Sequence, residues 1–137
     1  MPAVDTVDTP EPVRSELDLE HAPLSEVRQW VRDVLCDLSE DDLDDCLLIA
    51  NELAGNALDH AAAPRRLRVE RSTGSGVVVR IEVDDATQDQ PVPGVSRLGD
   101  NRGRGLVIVA KIATDWGVEA HSDGKTVWAS LVCETHS

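Results

Sequence analysis

The stretch Asn51-Glu-Leu-Ala-Gly-Asn-Ala-Leu-Asp-His-Ala61 lies inside a segment whose apolar residues recur at helical spacing. Gly55 in a helix interior costs about 1 kcal/mol against Ala, and Asn56 competes for backbone hydrogen bonds. On a wheel of about 3.6 residues per turn, Leu43, Cys46, Leu47, Ala50, Leu53, Ala54, Ala57 and Ala61 form one stripe, which should pack on a sheet. Glu52, Asn56 and Asp59 lie opposite, at i, i+4 and i+7, with His60 at the edge. A solvated polar face is the ordinary account of such a stripe. Two features set this one apart: Leu48 and Ile49 flank it, and Gly55 leaves room beside the Glu–Asn pair. A carboxylate and a carboxamide one turn apart, facing a pocket, suit Mg²⁺, a hard cation that takes oxygen ligands and keeps waters.

Outward from this stretch, Ser39 caps the helix and Glu40-Asp-Asp-Leu-Asp-Asp45 sets acid in its first turn, where it complements the dipole. The helix is expected to run from Glu40 to Ala63 and stop at Pro64. An earlier helix opens at Pro23 and buries Leu24, Val27, Val31, Val34, Leu35 and Leu38. Residues 14–21, 65–72 and 77–85 read as strands, the last two joined by the Gly-Ser-Gly turn at 74–76. Residues 86–105 form a long Pro- and Gly-bearing loop, of a length that in compact domains is functional or disordered. The apolar run from Leu106 is a buried helix, and 116–121 with 126–133 form a hairpin around 122–125. The fold expected is an α+β two-layer sandwich: a mixed, mostly antiparallel sheet with helices on one face. Residues 1–13 read as a disordered tail and 14–137 as a single domain.

Strand alternation carries one anomaly. Val77, Val79, Ile81 and Val83 share a face, and the same parity sends Asp85 to that apolar face. A turn residue leaving the strand would explain it; so would an inward carboxylate that accepts a hydrogen bond from a buried ligand, since one without a partner is costly. Gly103-Arg-Gly-Leu106 at the mouth of a helix would let a backbone approach phosphate, although G-x-G alone is weak. Gly124-Lys-Thr126 imitates the tail of a P-loop, but position 119 is Glu where the first Gly belongs.

Composition removes several function classes. The formal charge of −13 disfavours nucleic acid, whose phosphates need a basic face. Lys111 and Lys125 are the only lysines, so a phosphate ligand would rely on Mg²⁺, backbone N–H groups and a few Arg. No apolar run approaches a membrane span and no leader pattern opens the sequence, which implies a cytoplasmic protein. Cys36, Cys46 and Cys133 are widely spaced and read as buried reduced thiols.

Glu52-x-x-x-Asn56-Ala-x-x-His60, Asp85 ending a strand, Gly103-x-Gly105-Leu106 and Thr126 in the closing strand occur here in order. This set resembles the Bergerat-fold ATPases of gyrase and sensor histidine kinases. Its compact form is most similar to the anti-sigma factor serine kinases, and the resemblance covers roughly residues 14–133. It implies ATP and Mg²⁺ as ligands, with Asn56 holding the metal and Glu52 polarising the attacking hydroxyl or water. Asp85 would recognise the adenine amino group, with the Thr126 hydroxyl supporting it. His60, Arg102, Gly103, Arg104, Gly105 and Leu106 fall at its nucleotide-binding positions, and 86–102 at its nucleotide lid. The partners implied are an anti-anti-sigma protein of the STAS type and a sigma factor, with a homodimer allowed. One element departs: the family's Asp-x-Gly-x-Gly is Asp85-Ala-Thr-Gln-Asp89, without either glycine. Glu52 and Asn56 favour a serine kinase; the missing glycines favour a binding-only partner switch.

Overall fold

The structure, a computed structural model, describes residues 12–20, 22–73, 76–87 and 101–135, and of 101–105 the backbone alone. The expected tail is thereby outside the described residues up to position 11, as are residues 88–100 of the expected lid. The elements are β1 (Val13–Asp18), α1 (Leu24–Val34), α2 (Glu40–His60), β2 (Arg66–Thr73), β3 (Val77–Asp85), α3 (Asn101–Ile112), β4 (Asp115–His121) and β5 (Gly124–Cys133). Five strands form one sheet in the order β1-β2-β3-β5-β4. Every pairing between them is antiparallel, so the sheet is not mixed.

Ser39 caps α2 as expected: its hydroxyl accepts from the Asp42 N–H at 3.3 Å, and Glu40, Asp41 and Asp42 occupy the first turn. The far end closes earlier than Pro64 requires. Arg65 Nη1 donates to the carbonyls of Ala57, Leu58 and Ala61 at 3.2–3.3 Å, the last two among the acceptors that a helix end leaves open, while its other nitrogens bond Glu20. The second helix boundary that shifts is that of α3. It begins at Asn101, so Gly103 and Gly105 lie within the helix rather than in the loop before it. Low helix propensity there is a weak signal that tertiary packing of the following apolar run overrides.

The core lies between one sheet face and α2. Cys46, Leu47, Ile49, Ala50, Leu53, Ala54 and Ala57 are buried on α2, Val27 and Val31 on α1. Leu67, Val69, Val79, Ile81, Val83, Ala129 and Leu131 face them from the sheet. Leu48 is 40% exposed while Ile49 is fully buried, so only one of the two residues expected to flank the polar stripe is covered. Alternate residues make the other sheet face, which no described helix covers and which carries charge. There Arg68 pairs with Glu16, Glu82 and Asp84, Arg80 pairs with Glu82 and Glu119, and the Arg80 guanidinium sits 4.1 Å over the Trp128 ring.

Candidate nucleotide site

The inward register of Asp85 is observed. Strand β3 alternates buried and part-exposed residues to its last position, and Asp85 is 7% exposed on the face shared with Val77, Val79, Ile81 and Val83. Its carboxylate is not left alone, as burial would forbid. Asp85 Oδ2 accepts from Lys125 Nζ at 2.7 Å, and Asp85 Oδ1 accepts from the Thr87 N–H at 2.8 Å. The Thr87 hydroxyl in turn accepts from the Ala62 N–H at 2.8 Å, and the Ala86 N–H donates to the Ala62 carbonyl at 2.9 Å. The segment leaving β3 is thus tied to the chain leaving α2, which brings the end of the helix that carries Asn56 to the end of the strand that carries Asp85. Arg65 stands beside this junction. Its hydrogen bond to Glu20 raises it above the ordinary value against desolvation, and the charges of Glu20 and Asp85 add to that.

Thr126 lines the same end of the sheet as Asp85 but from the opposite face. The β3–β5 register sets Asp85 opposite Lys125 and Asp84 opposite Thr126, and paired residues share a face. The Thr126 hydroxyl therefore donates to Asp84 Oδ1 at 2.6 Å, with His121 Nε2 at 2.9 Å, on the charged face of the sheet. The residue that meets Asp85 is Lys125, which the sequence motif passes over by one position. A cleft of about 750 Å³ opens at this end of the sheet, lined by residues including Arg65, Arg68, Asp84, Asp85, His121 and Lys125.

On α2, Glu52 and Asn56 are half-buried one turn apart, and neither hydrogen-bonds to a described residue. Their neighbour Asn51 is committed instead, accepting from Arg28 Nη1 at 2.9 Å. His60 is exposed on the last turn. A Cβ built at Gly55 would meet, among the described residues, Leu24 Cδ1 of α1 at 3.8 Å, an ordinary contact. Leu106 is half-buried against the core. Of Arg102, Gly103, Arg104 and Gly105 the backbone alone is described, and it is helical. No group of three His, Cys, Asp or Glu gathers as a metal site among the described residues.

Residues 17–131 match the family described as the histidine kinase-like ATPase domain. The chain belongs to that family. Two solved structures resemble this histidine kinase-like ATPase domain in fold. One is the crystal structure of the RsbU and RsbW domains of Rv1364c from Mycobacterium tuberculosis, with 19% identity and a TM-score of 0.64 over 93% of this chain and 33% of that one. The other is the histidine kinase domain of the blue-light-activated histidine kinase EL346 from Erythrobacter litoralis, with 16% identity and a TM-score of 0.52 over 80% and 58%. The chain thus spans about a third of the length of the first. No curated protein sequence matches it. The family brings ATP binding with it, and the residues present fit that ligand. Asp85 offers a carboxylate that can accept from an exocyclic amine, and Asn56 with Glu52 offers oxygen atoms, not hydrogen-bonded to a described residue, of the kind a hard cation takes. Among the described residues no helix is long and apolar enough to cross a membrane.

Proposed function

We propose that this histidine kinase-like ATPase domain is a partner-switching regulator of the anti-sigma type, which binds Mg²⁺-ATP and phosphorylates a serine of a STAS-type anti-anti-sigma protein, sequesters a sigma factor, or does both. The observation that carries the reading is an inward Asp85 together with Glu52 and Asn56, which stand one turn apart on α2 with no hydrogen bond to a described residue. ATP bound here supplies the phosphoryl group and, with Mg²⁺, the charge neutralisation for its transfer. Asn56 would hold the metal through its carboxamide oxygen, and Asp85 would accept a hydrogen bond from the adenine amine. Glu52 orients the serine hydroxyl and takes its proton. The likeness to a chain containing an RsbW domain supports the partner class. A second reading is favoured by one observation: both oxygens of Asp85 are already engaged by the chain's own donors, and the following Ala86 and Thr87 are tied to Ala62. That arrangement suits a binding-only switch in which nucleotide is weak or dispensable.

Nucleotide titration and phosphate incorporation, measured together, separate the two. Asn56→Ala is expected to weaken Mg²⁺-ATP binding and abolish transfer together. Glu52→Ala is expected to leave binding nearly intact while transfer to a partner serine falls by roughly 10²–10⁴-fold. Transfer by Glu52→Ala at the wild-type rate removes Glu52 from the chemistry. ATP binding by the wild type with no transfer to any cognate partner selects the binding-only switch.

A further inference from the structure

Lys125 is one of two lysines in the chain, and the fold delivers it to the end of Asp85 with some care. Gly124 precedes it with φ +156°, and a Cβ at that position would lie 1.9 Å from the Asp85 carbonyl oxygen. Only a residue without a side chain lets β5 begin this close to β3. The register then sets Lys125 opposite Asp85, and the ammonium reaches Asp85 Oδ2 at 2.7 Å, with side-chain exposures of 20% and 2%. The other oxygen takes the Thr87 N–H. Among the described residues, no buried side-chain nitrogen or oxygen lacks a hydrogen-bond partner, so nothing at Asp85 is left waiting for a donor.

From this self-contained arrangement we infer that Lys125 is an internal competitor for the base-binding carboxylate: its ammonium occupies Asp85 in the free protein, a nucleobase donor must share or displace it, and Lys125 thereby sets nucleotide affinity. The inference rests on the nucleotide reading of Asp85. A charge-assisted hydrogen bond is the stronger kind, and displacing one weakens a competing ligand by on the order of tenfold or more. Competition of this kind discriminates by cost: a ligand with further contacts, to metal and phosphate, engages the carboxylate more readily than the base alone.

The test compares wild type, Lys125→Met and Lys125→Gln by calorimetric titration with adenosine and with Mg²⁺-ATP. Adenosine is neutral, so it separates competition at Asp85 from the long-range loss of one positive charge. Lys125→Met is expected to bind adenosine about tenfold more tightly than wild type, and to melt at a lower temperature without ligand, because a buried carboxylate then lacks its counter-ion. Lys125→Gln keeps a neutral donor and a stem of similar length, so it guards against a Met variant that does not fold; a smaller gain in the same direction is expected. Adenosine and ATP bound by wild type but no more tightly by either folded variant overturns the inference and leaves the nucleotide reading standing. No binding of either ligand to any of the three at millimolar concentration overturns both.

Discussion

Gly55 can be replaced at little steric cost. Leu24 Cδ1, the nearest atom to a Cβ built there, stands at 3.8 Å, within ordinary van der Waals contact. Gly55→Ala should therefore stabilise the fold by about 0.5–1 kcal/mol, the helix-interior penalty of Gly relieved without a clash. Urea unfolding measures it. A folded variant with unchanged stability and lost ATP binding would instead set a ligand against Gly55. At this scale the sequence is legible wherever a strict period applies. Asp85 could be assigned to the core face because alternation along one strand is local and invariant. Thr126 could not be assigned to the partner of Asp85, because that depends on the register of β3 against β5, set by residues 40 positions apart, where a slip of one residue moves a side chain to the opposite face. The same slip hid Lys125.

Among the elements, the start of α2 and the end of β5 are fastened to one another. The Glu134 N–H donates to Asp42 Oδ2 at 2.7 Å, and the Ser39 N–H to the Glu134 carbonyl at 2.8 Å. One turn into the helix this puts Cys46 beside Cys133, both buried. Cys133 Sγ donates to the Leu131 carbonyl at 3.9 Å, and the neighbouring Cys133 sulfur, together with burial, raises the Cys46 thiol far above the ordinary thiol range. Cys36, expected to be buried with them, is exposed, because it falls in the turn after α1 rather than on its apolar stripe. Iodoacetamide should thus modify Cys36 alone in the native protein and all three thiols in denaturant, as counted by intact mass; native labelling of Cys46 or Cys133 would contradict the packing. Element type and order were readable throughout from periodicity. Boundaries were not: Arg65 closing α2 and the early start of α3 are contacts made in three dimensions, with no local signature.

Across the whole molecule, the sheet face that no described helix covers is held by ion pairs rather than by apolar packing. Burial alone would raise Glu82, but hydrogen bonds from Arg80 and Arg68, and their charges, outweigh it and hold the carboxyl below its ordinary value of 4.5. A carboxyl lowered by folding contributes stability that is full above its unfolded value and is lost as the pH falls through the folded one. Stability should accordingly decline as the pH drops below about 4.5, and Glu82→Gln should flatten part of that decline. At neutral pH the same variant should lose about 1–3 kcal/mol, since two part-buried guanidinium groups lose a charged acceptor. Thermal melts of both proteins across an acid series measure the two effects; identical slopes would mean that other carboxylates carry the acid limb.

The tie between Asp42 and Glu134 also bears on how the chain reaches this fold. It joins residues 92 positions apart, and the β1–β2 and β3–β5 ladders likewise join distant segments. Closing such spans spends chain entropy before the contacts form, which slows folding relative to helical bundles of the same size. During synthesis α2 emerges long before the segment that fastens its first turn. The helix must wait, its apolar stripe uncovered by β5, until the final strand of the sheet has left the ribosome.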